Sequence, residues 1–264
     1  MNLRRIVSAL SVSAAVSASA AAQTAAPPAD PAPPPPLWDA QVGASFVGTS
    51  GNSQTSSFGA DFAAHRRGAV WQIDSNATAV RASSGGLKTA ERYIAGGRGQ
   101  RALTPLLKLT VGERAERDQL SGLDFRNVLD AGLGWALVRG PGWTLDGTTS
   151  LAWNHEQRAV GTNLDDPVGV LQLLSRLPIG AAGETTQRFT YYPDFRNTSA
   201  YRSEAELAVQ AAMNSRLALK FGYLLRYAND PVPGFKKTDN TATASVVLQW
   251  RSVAPAPTPG GAGP

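Results

Sequence analysis

The sequence predicts an all-β protein, a transmembrane antiparallel up-and-down β-barrel of about twelve strands. Apolar and polar residues alternate with period two from Trp38 to Trp250. The alternating segments run for about ten to fifteen residues, whereas strands of soluble proteins average about five or six. A soluble β-sandwich shares the alternation but not the length, so segment length favours strands that cross a membrane.

Residues 1–22 have the pattern of a secretory signal peptide. Two arginines precede a short apolar core that begins at Ile6, and three alanines stand before Gln23. The core is shorter than the roughly 20 apolar residues that span a bilayer, so a cleaved signal is favoured over an uncleaved anchor. We therefore expect an exported protein.

Charge and cysteine content exclude several classes of function. The net charge is +5, and loss of Arg4 and Arg5 with the signal leaves 23 basic against 20 acidic residues. That excess is small and interleaved along the chain, which argues against nucleic acid as a partner. The chain has no cysteine, so it has no disulfide framework, no lipid-accepting cysteine and no thiolate metal site.

Four segments make up the predicted organisation. The signal peptide (1–22) is followed by a Pro/Ala-rich linker (23–37), the barrel (38–250) and a Pro/Gly-rich tail (251–264). Proline fixes φ and lacks an amide donor, so we expect the linker to be extended. Linker and tail are interpreted as periplasmic spacers.

The segment from Trp143 to His155 shows the strand pattern most clearly. One face carries Trp143, Leu145, Gly147, Thr149, Leu151 and Trp153, and the other carries Thr144, Asp146, Thr148, Ser150 and Asn154. The two tryptophans are ten residues apart. At about 3.4 Å per residue and a tilt of roughly 40°, this spacing covers about 25 Å, the height of a lipid-facing band between two aromatic girdles. The predicted girdle residues are Trp38, Trp71, Trp135, Trp143, Trp153 and Trp250.

Prolines and connection lengths provide a second check. Because a closed barrel has no edge strand on which a missing amide donor is harmless, prolines should fall between strands. Only Pro178 lies inside a predicted segment, near its end; those assigned to turns or loops are Pro105, Pro141, Pro167, Pro193, Pro231 and Pro233. Tight connections alternate with mostly longer ones, so an even strand number puts both termini in the periplasm and the longer loops outside.

Several segments resemble a family of salt-induced outer-membrane proteins whose shared domain has no known function. The resemblance covers nearly all of the mature chain. It rests on the order and spacing of Gly43 to Phe46, Thr49 to Ser53, Glu91 to Tyr93, Glu116 to Asp118, Ser121 to Arg126, Gly132 to Gly134, Tyr191 to Pro193, Asp230 to Gly234 and Lys236 to Asp239. The resemblance implies an outer-membrane barrel without an established activity. One departure is that such barrels usually end on a phenylalanine, whereas fourteen residues follow Trp250 here.

The polar face of the predicted strands carries many charges, which would point into the lumen because each Arg or Lys facing lipid at midplane costs roughly 2–4 kcal/mol. The candidates are Asp61, Asp74, Lys108, Arg114, Glu116, Arg126, Asp130, Asp146, Arg202, Glu204, Glu206, Arg216, Lys220 and Arg226. Two interpretations remain open. The charges either pair across a narrow, plugged barrel, which their mixed signs favour, or line a small aqueous pore.

No residue pattern predicts a catalytic, cofactor-binding or metal site. His65 and His155 fall near opposite ends of the predicted barrel, so they cannot form one site. His155 with Glu156 gives only a weak hypothesis of an outer-membrane hydrolase, against a role as solvated rim residues. The Gly132 to Gly134 segment is not a phosphate loop because no helix follows it.

The sequence therefore predicts a non-enzymatic barrel in the bacterial outer membrane with an envelope or salt-stress role. A passive channel for small solutes or ions is the alternative, and a barrel hydrolase is the weakest hypothesis. The expected partners are outer-membrane lipid and the barrel-insertion machinery, with small solutes or ions in the lumen in the channel case.

Overall fold

A computed structural model describes residues 37–49, 55–68 and 70–252. The predicted signal peptide, and nearly all of the predicted linker and tail, lie outside the described residues. Within the described ranges the chain forms a short 3-10 helix, Gln119–Ser121, and twelve strands. The strands are β1 (Trp38–Thr49), β2 (Thr55–Arg67), β3 (Trp71–Ser84), β4 (Leu87–Ala102), β5 (Leu107–Asp118), β6 (Leu123–Arg139), β7 (Thr144–Arg158), β8 (Leu164–Ile179), β9 (Gly183–Tyr192), β10 (Arg202–Ala212), β11 (Leu217–Ala228) and β12 (Thr238–Arg251). No helix in this part of the chain is long and apolar enough to span a membrane.

The strands form one closed antiparallel barrel. Each strand pairs with its neighbours in sequence, and β1 closes the sheet by pairing with β12, with Ala44 opposite Val246. Closure satisfies the main-chain donors and acceptors that an open sheet would leave at its edges. The predicted fold, an up-and-down barrel of about twelve strands, is confirmed.

The two ends of the barrel have different connections. At the end that holds Trp38 and Arg251, here called the terminal end, five connections of three or four residues join the strands. At the opposite end, here called the loop end, connections reach nine residues at 193–201 and 229–237. The Gly85-Gly86 turn is the short exception there, and both glycines have positive φ, as a two-residue hairpin turn requires.

Alternation along each strand separates an apolar outer face from a mainly polar inner face. In β7, Leu151 is 72% exposed, whereas Ser150 and Asn154 on the opposite face are each 3% exposed. Large exposed hydrophobic side chains recur on the outer face around the barrel. This apolar exterior matches the lipid-facing band of outer-membrane barrels.

Part of the interior is apolar, which the sequence did not predict. On the inner faces of β6 to β9, a buried cluster forms from Val128, Ala152, Val168, Val170 and Tyr192. These side chains fill one side of the barrel. The central chamber described below has no lining residue from β6 to β8.

The prediction that Pro167 lies in a loop is wrong, because β8 begins at Leu164. At position 167 the main-chain nitrogen and carbonyl both face the segment that follows β9. The carbonyl of Pro167 accepts a hydrogen bond there from the amide of Phe195 (3.2 Å). Pro178 lies near the other end of β8, beyond the Thr144 to Arg176 pairing that begins β7. Each proline thus occupies a position where the neighbouring strand has already ended, so no ladder hydrogen bond is lost.

Candidate functional site

The predicted lumen residues lie on the inner faces of their strands, with one exception. Arg216 is exposed in the turn before β11, because the Asn214 side chain accepts hydrogen bonds from the amides of Arg216 and Leu217 (both 2.8 Å) and holds the chain in a turn. Its assignment to the lumen is therefore wrong. The others line a cavity, are buried or contact a further inner residue: Asp61, Asp74, Lys108, Arg114, Glu116, Arg126, Asp130, Asp146, Arg202, Glu204, Glu206, Lys220 and Arg226.

Near the loop end, charged side chains form a layer across the interior, here called the charged layer. Its members are Arg92, Arg114, Arg126, Arg158, Arg202, Arg226, Glu116, Asp118, Glu156, Glu204 and Asp239. They come from seven strands on both sides of the barrel.

Glu116 is the centre of this layer and is 4% exposed. Its carboxylate oxygens lie 2.9 Å from Arg92, 3.0 Å from Arg226, 3.6 Å from Arg126 and 3.8 Å from Arg114. A buried carboxylate is stable only when paired and hydrogen-bonded, and here Arg92 Nε and Arg226 Nη1 both donate to Oε1. Four positive groups therefore share one negative charge.

A second buried carboxylate, that of Glu156, is 2% exposed. Arg126 Nη2 lies 2.7 Å from one of its oxygens and Arg158 Nε lies 2.6 Å from the other. Arg126 also faces Glu116, so it connects the two carboxylates. Glu116, Glu156 and Arg126 are each held by more than one partner, which favours a rigid network.

Three ion pairs of the layer cross the lumen between strands that are not neighbours. Arg114 of β5 lies 3.2 Å from Glu204 of β10. Arg226 of β11 lies 3.0 Å from Glu116 and 2.7 Å from Asp118, both of β5. In a barrel of twelve strands, β5 and β10 lie nearly opposite each other. These contacts therefore narrow the interior at the loop end.

Two cavities meet at the charged layer. A central chamber, with about 150 Å³ accessible to water, is lined by β1 to β5 and β9 to β12, including Asp61, Arg188 and Lys220. A loop-end chamber, with about 80 Å³ accessible to water, is lined by β6 to β8, by β9 to β12 and by the loop between β11 and β12. Glu204 borders both chambers, so its pair with Arg114 lies between them.

Sequence reasoning missed several inner charges, notably Arg92, Asp118 and Glu156. A signal for Arg92 and Asp118 was available, since four segments that carry the family resemblance meet in this layer. Arg92 lies 3.8 Å from Asp118, and Arg226 links Asp118 (2.7 Å) to Asp239 (3.7 Å). Motifs far apart in sequence therefore build one site at the loop end.

The six predicted girdle tryptophans are all on the outside, each between 36% and 49% exposed. Trp38, Trp71, Trp135, Trp143 and Trp250 lie toward the terminal end, and only Trp153 lies toward the loop end. Near the loop end, the rings of Tyr191, Tyr201 and Tyr227 follow one another at centroid distances of 5.7 and 5.9 Å.

The two histidines do not share a site. His65 points inward near the terminal end and hydrogen-bonds Asp74, whereas His155 lies on the outer face 2.7 Å from Asp165. Glu156 points inward, so His155 and Glu156 lie on opposite faces and the geometry of the hydrolase hypothesis is wrong. In the part of the chain described, no three His, Asp or Glu residues are grouped to hold a metal ion.

A family model described as "Protein of unknown function, DUF481" matches residues 42–250. The chain belongs to this family. The match spans all twelve strands except a few residues at the two ends of the sheet. No curated protein gives a significant match.

Solved structures with similar folds are outer-membrane barrels. An outer membrane channel from Pseudomonas putida F1 has a TM-score of 0.50 at 11% identity, over 86% of this chain and 99% of that chain. The NanC porin has a TM-score of 0.47 at 12% identity, over 82% of this chain and 99% of that chain. At such identities the similarity establishes the fold alone, that of a closed antiparallel β-barrel.

Proposed function

We propose that the protein is a non-enzymatic channel of the bacterial outer membrane, with a narrow lumen for small solutes or ions. The observation that carries this proposal is the pair of chambers that meet at the Arg114–Glu204 contact. A barrel with a purely structural role needs no such space along its interior. A constriction of fixed charges between two wider chambers is the arrangement by which pores select solutes.

Electrostatics at the constriction favours small polar species. Arg114 and Glu204 are both inner side chains with low exposure (29% and 16%), and their contact crosses the barrel. A solute must pass beside this pair or displace it. Large solutes and apolar solutes are therefore excluded. Ions and small hydrophilic molecules can pass, because they form polar contacts with Arg114 and Glu204 that replace part of the ion pair they displace.

Conductance in planar bilayers tests the proposal directly. We expect discrete low-conductance steps from the purified wild-type protein. The double variant R114A/E204A should give steps several-fold larger, because both side chains of this ion pair are removed from the lumen. The matched control is R188A/E206A, since this pair (3.0 Å) joins neighbouring strands β9 and β10 and does not cross the lumen.

Heat-modifiable migration on gels would verify that every variant is folded. Silent bilayers for both the wild type and R114A/E204A would contradict a channel. Equal step sizes for R114A/E204A and its control would contradict the assigned constriction.

A second candidate is a closed barrel with an envelope role, favoured by the dense pairing around Glu116. It predicts a silent wild type and a conducting R114A/E204A. The salt-related role implied by the family resemblance is compatible with either candidate. It predicts that the amount of the protein rises when external salt is raised.

We further propose that both termini face the periplasm, because the terminal end has only short connections. Residues 1–22 would be removed on export, which the mass of the protein purified from membranes tests. The apolar outer face would contact outer-membrane lipid, after insertion by the cellular barrel-insertion machinery.

A further inference from the structure

Arg202 differs from the other arginines of the charged layer because it has no carboxylate partner among the described residues. Arg126, Arg158 and Arg226 each have a carboxylate oxygen within 2.7 Å. Arg202 instead donates one weak hydrogen bond to the amide oxygen of Asn154 (3.3 Å) and lies over the ring of Tyr192, 4.9 Å from its centroid. Neither neighbour carries a negative charge.

The charge balance of the layer points to the same residue. The charged layer holds six arginines and five carboxylates, so one positive charge is left without a counter-charge. A guanidinium shielded from bulk water is costly unless an anion accompanies it. The surplus positive charge is most exposed to a ligand at Arg202, because this side chain also lines the loop-end chamber.

The loop-end chamber has the space and the charge to hold a small anion beside Arg202. About 80 Å³ of this chamber is accessible to water. Its wall carries Arg126, Arg158, Arg202, Arg226, Lys236 and Lys237 against Glu156, Asp194, Glu204, Asp230 and Asp239, an excess of one positive charge. Glu156 is already held by Arg126 and Arg158, so an anion beside Arg202 meets a guanidinium that has no carboxylate at ion-pair distance within the described part of the chain.

We infer that Arg202 is the centre of a binding site for the carboxylate of a small hydroxylated solute in the loop-end chamber. The inference rests on the proposed function insofar as the solute would be one that enters the channel. A planar guanidinium binds a carboxylate through two parallel hydrogen bonds. A lysine in place of the arginine, or a halide ion in place of the carboxylate, cannot form this pair of bonds. Asn154 and Asp239 line the same chamber and offer hydrogen-bonding groups for hydroxyls.

Calorimetric titration of the folded protein in detergent tests this site, with D-glucuronate as the probe and D-glucose as its uncharged counterpart. Sodium chloride at 0.1 M is present throughout, so chloride competes in every arm. We expect saturable binding of glucuronate and none of glucose. R202Q should weaken glucuronate binding at least tenfold, and R188Q, which removes an arginine of the central chamber that is paired with Glu206, should change it less than twofold.

R202K provides a second variant if R202Q does not give a heat-modifiable, folded band. It keeps the charge but lacks the planar fork, and we expect at least threefold weaker binding. Unchanged affinity in R202Q, or in R202K when R202Q does not fold, would overturn the site. Equal binding of glucose, or no binding of glucuronate by the wild type, would overturn it as well.

Binding in detergent does not depend on conduction, so the two proposals fail separately. A wild-type protein that binds glucuronate but is silent in bilayers would overturn the channel and retain the site. A protein that conducts but does not bind glucuronate would retain the channel and overturn the site.

Discussion

Replacing Glu116 by glutamine removes the central negative charge of the charged layer while keeping the volume of the side chain. The carboxylate is within 4 Å of Arg92, Arg226, Arg126 and Arg114, and its side chain is 3% exposed. Removing one partner of a buried ion pair costs about 3–5 kcal/mol, because the other charge stays buried without compensation.

The cost of E116Q should lie near the lower end of this range. Three of its four arginines keep a second carboxylate, at Asp118, Glu156 and Glu204. Arg92 keeps only the longer contact to Asp118, at 3.8 Å. We therefore expect E116Q to lower the free energy of unfolding by about 3 kcal/mol, a factor of roughly 10² in the equilibrium constant.

Urea unfolding of the protein in lipid vesicles, followed by tryptophan fluorescence, measures this change. The matched control is E206Q, because Glu206 is also an inner glutamate but is 37% exposed and has the single partner Arg188. A partly exposed pair contributes about 0–1 kcal/mol, so E206Q should stay within that range. Equal losses for E116Q and E206Q would refute the argument that burial and multiple pairing set the cost.

Three further outcomes are expected. G132A should lose the heat-modifiable folded band, because its Cβ would overlap the carbonyl oxygen of Thr149, whereas G134A, with a nearest contact of 3.3 Å, should keep it. H155A should change stability by less than about 0.5 kcal/mol in the same urea assay and leave conductance unaltered, because His155 is exposed on the outer face. Lipids brominated near the headgroup should quench tryptophan fluorescence more than lipids brominated near the chain ends. W153F should retain most of this difference in quenching, because the other five girdle tryptophans lie toward the terminal end.

Period-two alternation was sufficient to assign the two faces of each strand, and the length of the alternating segments then favoured a barrel over a soluble sandwich. Leu145 and Leu151 face outward in β7 while Asp146 and Ser150 face inward, and no tertiary information is needed to assign either face. Strand ends were harder to predict. Pro167 and Arg216 were misplaced because local hydrogen bonds, from Phe195 and to Asn214, decide where pairing begins and ends.

Pairing across the lumen could not be predicted from alternation. Arg114 and Glu204 are 90 residues apart, and their contact depends on the stagger of strands around the closed sheet. The same stagger brings Arg92, Glu116 and Asp239 to one level. Alternation assigns each of these charges to the inner face, but only closure of the barrel determines which opposite charge it meets.

The apolar cluster around Val168 and the charged layer together determine the route through the barrel. Because that cluster fills the inner wall of β6 to β8, the central chamber is confined to β1 to β5 and β9 to β12. The loop-end chamber extends over β6 to β8 as well as β9 to β12, as its lining by Asn154 and Glu204 shows. In the proposed channel, a solute would cross between the chambers at the Arg114–Glu204 contact. Selection by charge then follows from position, because the one unpaired guanidinium among the described members of the layer lies on the loop-end side of that crossing.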